Sequence, residues 1–171
     1  MKSIIRDVEN DILEKCRSYS TDFEVLEHSY FNLISLKTKN KKPVKKIILS
    51  GGIHGSEPAG SLAIVKFLNL ILNISKEKNY EFLIFPCLNP SGLEVNTREN
   101  KEGIDLNRSF DLESNLPEVV FLIDNINIYD FKADLSIDFH ETCPEDNCDI
   151  TLGHKFPKEF YMYEVCTIPI S

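Results

Sequence analysis

The segment IILSGGIHGSEP, residues 47–58, contains the features that decide the fold of this chain. It begins with a short run of isoleucine and leucine, which is typical of a buried strand. The glycines that follow predict that the strand stops at a tight turn. Proline suits the first turn of a helix, so Pro58 favours a helix start directly after Glu57. We therefore expect a strand, a turn that contains His54 and Glu57, and a helix.

Glycine is scarce in this chain and unevenly placed. Four of the seven glycines fall within the ten residues 51–60, namely Gly51, Gly52, Gly55 and Gly60. Glycine is the residue that tolerates left-handed or crowded backbone, so this clustering indicates a conformationally constrained turn.

The flanking sequence continues the alternation of strands and helices. Helical spacing of apolar residues predicts helices over 4–17, 58–74 and 117–129, and apolar runs predict strands over 30–37, 80–88 and 133–139. The polar, turn-rich stretch 89–115 is predicted to be a long functional loop. We expect an α/β fold with a central mixed, mostly parallel sheet flanked by helices and with its chemistry at the strand ends.

Composition excludes several classes of protein. The chain has 171 residues, and 27 acidic against 19 basic side chains give it a net charge of −8. An acidic surface repels phosphate backbones, so we expect no nucleic-acid partner. No secretory signal and no membrane-spanning run is evident, so we expect no membrane partner. Five cysteines, an odd number, fit a reducing compartment, and we expect a cytoplasmic protein.

Two histidines and one glutamate follow predicted strand ends. His54 and Glu57 come after the strand at 47–49, and His140 comes after the strand at 133–139. Two imidazoles and a carboxylate are a ligand set of catalytic zinc, which keeps a further position open for water. Taken singly, each histidine is better explained as a surface residue or a hydrogen-bonding group, and Glu57 can be explained as a favourable charge at a helix N-terminus.

Further motifs point to one family. The segments GGIHGSEP (51–58), NPSG (89–92), TR (97–98), GIDLNR (103–108) and DFH (138–140) resemble, in order, the motifs of the zinc carboxypeptidase superfamily. This superfamily includes succinylglutamate desuccinylase and aspartoacylase. The resemblance implies its α/β fold, one zinc ion bound by His54, Glu57 and His140, and a single zinc-hydrolase-like catalytic domain over residues 1–171.

The resemblance also assigns roles in substrate binding and catalysis. Arg98 corresponds to the arginine that polarises the scissile carbonyl and stabilises the oxyanion, and Asn107 and Arg108 to the pair that binds a free carboxylate. A guanidinium matches a carboxylate with two parallel hydrogen bonds, which agrees with the second role. Without the flanking motifs, both arginines are better explained as partners of acidic residues in their own loop. We expect Asp105 to support that loop and Asp138 to contact a ligand histidine.

The family's general base is a glutamate on a later strand, and no equivalent is evident here. Glu164 lies in a segment that resembles one preceding that strand, and Glu141 is expected to point away from the neighbouring His140. We therefore expect the domain to be incomplete at its C-terminus and to lack the family's last strands.

The function that this resemblance implies is zinc-dependent, carboxypeptidase-like hydrolysis of a peptide amide next to a free carboxylate. The expected substrate is a small peptide or an N-acyl amino acid. One alternative is an N-acyl amino acid deacylase. A second alternative is a non-catalytic zinc- or carboxylate-binding domain without the general base. Cys143 and Cys148, near His140 and His154, are interpreted as free thiols, with a second metal site as the alternative.

Overall fold

The protein forms a six-stranded sheet with helices on both faces. The computed structural model describes residues 2–29, 31–110, 114–141 and 160–165, and it describes 2–9 and 160–165 through their backbone alone. In chain order the elements are α1 (Lys2–Ser18), β1 (Phe23–His28), β2 (Leu33–Thr38), β3 (Lys45–Gly51), α2 (Pro58–Lys66), α3 (Leu68–Lys78), β4 (Tyr80–Phe85), α4 (Pro90–Val95), a 3-10 turn (Leu106–Arg108), α5 (Pro117–Ile128), β5 (Leu135–Glu141) and β6 (Phe160–Val165). This order confirms the predicted α/β class.

The sheet is mixed, with the strand order β1-β2-β4-β3-β5-β6. The central strands β4, β3 and β5 are parallel. The pairings β1–β2, β2–β4 and β5–β6 are antiparallel. The predicted mixed sheet is confirmed, and its parallel part is the centre, where the site lies. Parallel neighbours end at the same edge of a sheet, so the segments after β3, β4 and β5 are brought together.

Each face of the sheet has its own hydrophobic core. Successive side chains of a strand point to opposite faces, and Ile48 and Leu49 of β3 accordingly belong to different cores. Leu49 packs in a core that contains residues of α1, α2, α3 and α4. Ile48 packs in a second core with Phe121 of α5. Because helices cover both faces, β3 is apolar on both sides, which explains the unbroken apolar run in its sequence.

The helix predicted over 58–74 is two helices. Their axes differ by 55°, and the break lies at Phe67, whose amide donates to the carbonyls of both Ala63 and Ile64. The break allows α2 to bury Ile64 and α3 to bury Leu68 against the same sheet. No single helix in the described part of the chain is long and apolar enough to cross a membrane, although this bent pair jointly meets that test of length and composition.

The edge strand β1 was not predicted from the sequence. Phe23 is its one buried residue, and Glu24, Glu27 and His28 accompany it in a six-residue strand. The strand is held by continuous antiparallel pairing with β2, from Phe23 with Thr38 to His28 with Leu33. An edge strand with polar side chains carries little hydrophobic alternation, so its pairing partner determines it more than its own pattern.

Candidate metal centre

The ends of two parallel strands position the three candidate ligands. His54 lies in the turn after β3, and its carbonyl accepts a hydrogen bond from the Glu57 amide at 3.1 Å. This bond turns the chain back, so that Glu57 faces the same side as His54. His140 is the penultimate residue of β5, which pairs in parallel with β3. The common direction of the two strands therefore brings together residues that are distant in sequence.

The turn after β3 is fixed by the end of β4. The amides of Leu88 and Asn89 donate to the carbonyls of Gly51 and Gly52 at 3.0 and 2.9 Å. Gly52 has φ +62°, a left-handed conformation that strains other residues. A Cβ on Gly52 would also lie 2.3 Å from the Ser61 hydroxyl oxygen. The glycine-rich turn is thus constrained by conformation and by space, as its composition predicted.

Glu57 lies between the two histidines. Its Oε1 lies 2.7 Å from Nδ1 of His54, and its Oε2 lies 2.9 Å from Nδ1 of His140. Oε2 also accepts a hydrogen bond from the Glu141 amide at 3.0 Å. One ligand atom from each of the three residues lies within 4.8 Å of the others. Because His54 and Glu57 are 2% and 3% exposed, this arrangement is largely shielded from solvent.

An aspartate faces the other nitrogen of each histidine. Oδ2 of Asp138 lies 2.9 Å from Nε2 of His140, as expected of a residue two positions earlier on the same strand face. Oδ1 of Asp105 lies 3.4 Å from Nε2 of His54. That nitrogen makes no hydrogen bond with any described residue. Sequence reasoning predicted the contact of Asp138 but not the approach of Asp105 to His54.

The contacts at this cluster shift the pKa values of Glu57 and His140. Burial raises the pKa of Glu57, but hydrogen bonds from His140, His54 and the Glu141 amide outweigh it and lower the pKa to about 2. Burial lowers the pKa of His140, but Asp138 and Glu57 outweigh it and raise the pKa to about 9. In the metal-free protein, His140 is therefore a cation between two carboxylates at neutral pH.

We expect the metal-free protein to lose stability as the pH rises. The pKa of His140 in the folded state, about 9, exceeds its ordinary value of 6.5. The resulting stabilisation is fully present below pH 6.5 and is lost as the pH rises through 9, with a total of about 3 kcal/mol at most. Chemical denaturation of chelator-treated protein at about pH 6 and about pH 9.5 measures it. An equal pH dependence in His140→Gln would contradict this assignment.

The residues present fit a zinc ion. Zinc favours nitrogen and oxygen donors in a compact set, and three donors are typical where one position stays open for chemistry. Nδ1 of both histidines faces the shared carboxylate. Nε2 of His140 contacts Asp138 at 2.9 Å, and Nε2 of His54 lies 3.4 Å from Asp105 without a hydrogen bond to it. A carboxylate at the second nitrogen favours the tautomer that leaves the first nitrogen free to bind a metal. The chain thus supplies both a donor set and the groups that orient it.

The loop after α4 brings the predicted substrate-binding residues next to this cluster. Nε of Arg98 lies 3.1 Å from Asp105 Oδ2, and its guanidinium also lies 3.9 Å from Oε1 of Glu57. Asp105 further receives the Asn107 amide at 3.0 Å and lies 3.4 Å from Nε of Arg108. Asp105 therefore does more than support its loop, because it links both arginines to the histidine cluster.

Two further acidic or polar residues organise the site. Asn89 is fully buried and donates from its side chain to the carbonyls of Ile53 and Arg98 at 3.3 Å. These bonds join the turn after β3 to the arginine loop, the segment 96–108 that follows α4 and contains Arg98 and Arg108. The position of Asn89 in the NPSG motif was the one sequence signal for this role. The Glu141 carboxylate accepts from the Ala59 amide at 3.1 Å, at the start of α2.

The cysteines of the alternative second metal site, Cys143 and Cys148, lie outside the described residues, as does His154.

A family comparison agrees with this geometry. Residues 43–165 match the model of the succinylglutamate desuccinylase/aspartoacylase catalytic domain. The chain belongs to this family. The resemblance to the wider carboxypeptidase-like superfamily, indicated by the motifs, is thereby confirmed.

Curated relatives within this superfamily are carboxypeptidases. Carboxypeptidase E of Caenorhabditis elegans is 29% identical over 169 residues, which cover 81% of this chain and 33% of the relative. Carboxypeptidase SOL1 of Arabidopsis thaliana is 34% identical over 68 residues, which cover 35% of this chain and 14% of the relative. The chain therefore spans no more than about a third of the length of these relatives.

Solved structures of the superfamily share the fold. Bovine thrombin-activatable fibrinolysis inhibitor, in complex with a tick carboxypeptidase inhibitor, superposes with a TM-score of 0.61 at 19% identity, over 81% of this chain and 60% of that one. A metallo-carboxypeptidase from Burkholderia cenocepacia gives 0.58 at 22% identity, over 71% and 37%. The succinylglutamate desuccinylase/aspartoacylase from Rhodobacter sphaeroides gives 0.50 at 24% identity, over 64% and 33%.

Proposed function

We propose that this chain carries the metal-binding part of a zinc-dependent hydrolase that cleaves a peptide amide next to a free carboxylate. The observation that carries the proposal is the convergence of His54, Glu57 and His140 within 4.8 Å. When bound, zinc would act as a Lewis acid: it would polarise a carbonyl and lower the pKa of water, so that hydroxide is available as a nucleophile near neutral pH. Family membership supports this proposal over other uses of the same donor set.

Arg98 is proposed to stabilise the oxyanion. Its side chain is about one third exposed, so a substrate can reach it, while Asp105 holds its Nε at 3.1 Å. The guanidinium lies 3.9 Å from Glu57 and so stands at the border of the candidate metal site. A cation fixed beside the position where negative charge develops lowers the barrier without having to reorganise during the reaction.

Arg108 and Asn107 are proposed to bind the free carboxylate of the substrate. The Arg108 side chain is 82% exposed, and Asp105 contacts its Nε at 3.4 Å. Asn107 is exposed, with its amide bound to the same aspartate. Asp105 thus contacts the backbone amide of Asn107 and Nε of Arg108. The two terminal nitrogens of the Arg108 guanidinium can then donate the two parallel hydrogen bonds that a carboxylate accepts.

A deacylase of N-acyl amino acids is the second candidate, and the family match favours it. The curated carboxypeptidase relatives favour the peptidase. Both reactions need the same metal site and the same arginines. They differ in the group on the acyl side of the scissile amide, which is a peptide in one case and a simple acyl group in the other. Hydrolysis of N-acylated dipeptides with a free C-terminus, measured beside hydrolysis of N-acyl amino acids, separates the two: a preference for the first supports the peptidase.

The metal assignment is tested on the purified chain. We expect about one zinc ion per chain, and we expect its loss in the double variant His54→Ala/His140→Ala. Retention of zinc by that variant would contradict the assignment. Zinc binding without hydrolysis of either substrate class would instead support a non-catalytic binding domain. This last outcome is a genuine alternative because Asp105, Asp138 and Glu141, the carboxylates described around the cluster, all bind other protein groups.

Arg108→Ala is expected to weaken hydrolysis of substrates with a free carboxylate about 10- to 100-fold in kcat/KM. This is the range for hydrogen bonds to a charged group, about 1.5–3 kcal/mol. Amidated analogues of the same substrates should be affected several-fold at most. Steady-state kinetics on both series provides the comparison, with Lys132→Ala, an exposed site on the α5–β5 connection, as a control. An equal loss on both series would reject the role of Arg108.

A further inference from the structure

We infer that Ser50 is a positioning residue for the metal centre: its hydroxyl orients the Asp138 carboxylate and, through it, the imidazole of His140. This inference rests on the proposed function and adds a residue to it. Ser50 precedes the glycine-rich turn and belongs to none of the motifs that identified the ligands. The structure alone connects it to the site.

Three hydrogen-bonded contacts run from Ser50 to Glu57. The Ser50 hydroxyl donates to Oδ1 of Asp138 at 2.7 Å. Oδ2 of the same carboxylate lies 2.9 Å from Nε2 of His140. On the far side of the ring, Nδ1 of His140 lies 2.9 Å from Oε2 of Glu57. The two oxygens of Asp138 therefore have different partners: Oδ1 accepts from Ser50 on β3, and Oδ2 contacts the candidate ligand His140.

The strand pairing makes this contact precise. Ser50 and Asp138 are register partners in the parallel pair β3–β5, and His140 follows Asp138 by two residues on the same face. All three residues lie on regular strands rather than on the flexible part of a loop. Ser50 is 8% exposed, so water does not compete freely for its hydroxyl. A site supported by regular elements holds its geometry more tightly than one built on loops.

The hydroxyl matters because the terminal torsion of an aspartate is soft. Rotation about that bond is broad and roughly two-fold, so contact with His140 alone leaves the carboxylate free to tilt. The bond from Ser50 fixes the second oxygen and thereby the plane of the carboxylate. Because the acceptor is fixed, the Nε2–H of His140 points in one preferred direction. This fixes the orientation of the imidazole plane and keeps Nδ1 directed at the metal position.

Zinc affinity measured in a double-mutant cycle tests this chain of contacts. Ser50→Ala should weaken zinc binding up to about 10-fold, and Asp138→Asn about 10- to 100-fold, the range for groups that orient metal ligands. Because Ser50 acts through Asp138, adding Ser50→Ala to Asp138→Asn should cause little further loss. Ser50→Thr, which keeps the hydroxyl, should bind zinc nearly as wild type does. Competition with a chromophoric chelator on the full chain gives the zinc dissociation constants of the wild type and of all four variants.

Two further variants make the result specific. Ser136→Ala removes a hydroxyl from the same face of β5, two residues before Asp138, and should leave zinc affinity unchanged. Ser50→Cys, nearly isosteric but a weak donor, should behave like Ser50→Ala and replaces it if the alanine variant is poorly folded. Unchanged affinity in Ser50→Ala or Ser50→Cys, or losses that add in the double variant, would overturn the inference.

A metal-free measurement separates this inference from the proposed function. In imidazole ¹⁵N spectra of chelator-treated protein, Ser50→Ala should shift the Nε2 resonance of His140 and leave those of His54 in place. Unshifted His140 resonances would overturn the role of Ser50 whatever the chain binds. A wild-type chain that binds no zinc would contradict the proposed function, while these spectra would still decide whether Ser50 orients His140.

Discussion

Glu57→Gln is expected to reduce zinc affinity by about 100- to 1000-fold, because it alters one of the three candidate ligands. Each ligand accounts for a share of the roughly 10–16 kcal/mol that structural zinc sites provide. Glutamine is a neutral and weaker donor than a carboxylate. Its amide nitrogen also cannot accept the contacts that Glu57 now makes with both histidines and with the Glu141 amide.

Chelator competition on the purified variant measures the loss, with Glu102→Gln as the matched control. Glu102 is an exposed glutamate in the arginine loop, and its neutralisation should leave zinc affinity within about two-fold of wild type. Near-wild-type affinity in Glu57→Gln would mean that the metal is bound elsewhere and would remove the central observation of the proposed function.

Gly55→Ala is expected to destabilise the fold by about 3 kcal/mol or more, at the upper end of overpacking substitutions. A Cβ on Gly55 would lie 1.9 Å from the carbonyl carbon of Gly92, at α4. The atoms that this Cβ would meet belong to the backbone of Gly92 and Leu93, so no side-chain rotation relieves the clash. The turn that carries His54 and the helix that precedes the arginine loop must move apart, and zinc affinity should fall together with stability.

Gly103→Ala is the contrasting variant. Gly103 has φ +74°, but a Cβ there would meet no described atom within 4 Å. Its cost is conformational alone, about 1–2 kcal/mol. Denaturant unfolding of both variants gives the comparison, and similar losses at the two positions would show that the close contact of Gly55 with Gly92 does not constrain the turn.

Much of the site was predictable because its residues lie in contiguous motifs. The strand before Gly51, the turn and the helix start at Pro58 are each encoded locally, and the structure has all three. The motifs also named His140, and the structure brings it to His54 and Glu57. The assignment of these three residues as zinc ligands stays a prediction until metal is measured.

The contacts that support the site were harder to predict because they depend on register between strands. Ser50 meets Asp138 only because β3 and β5 pair in parallel at that position. Asp105 has several possible hydrogen-bond donors in its own loop, so the sequence provided no reason to expect its carboxylate 3.4 Å from His54. Such contacts join segments more than forty residues apart, which no local pattern specifies.

By itself, the sequence determined the α/β class, the constrained turn around His54 and the set of chemical groups available at the strand ends. Local propensity, glycine conformation and hydrophobic periodicity act within a few residues, so these features can be read from the chain. Only the tertiary structure decided how those groups are oriented: which oxygen of Asp138 serves His140, and that Asp105 connects Arg98 and Arg108 to His54. Hydrogen bonds of this kind require ångström-level placement, and that placement results from strand pairing and from packing in the two cores.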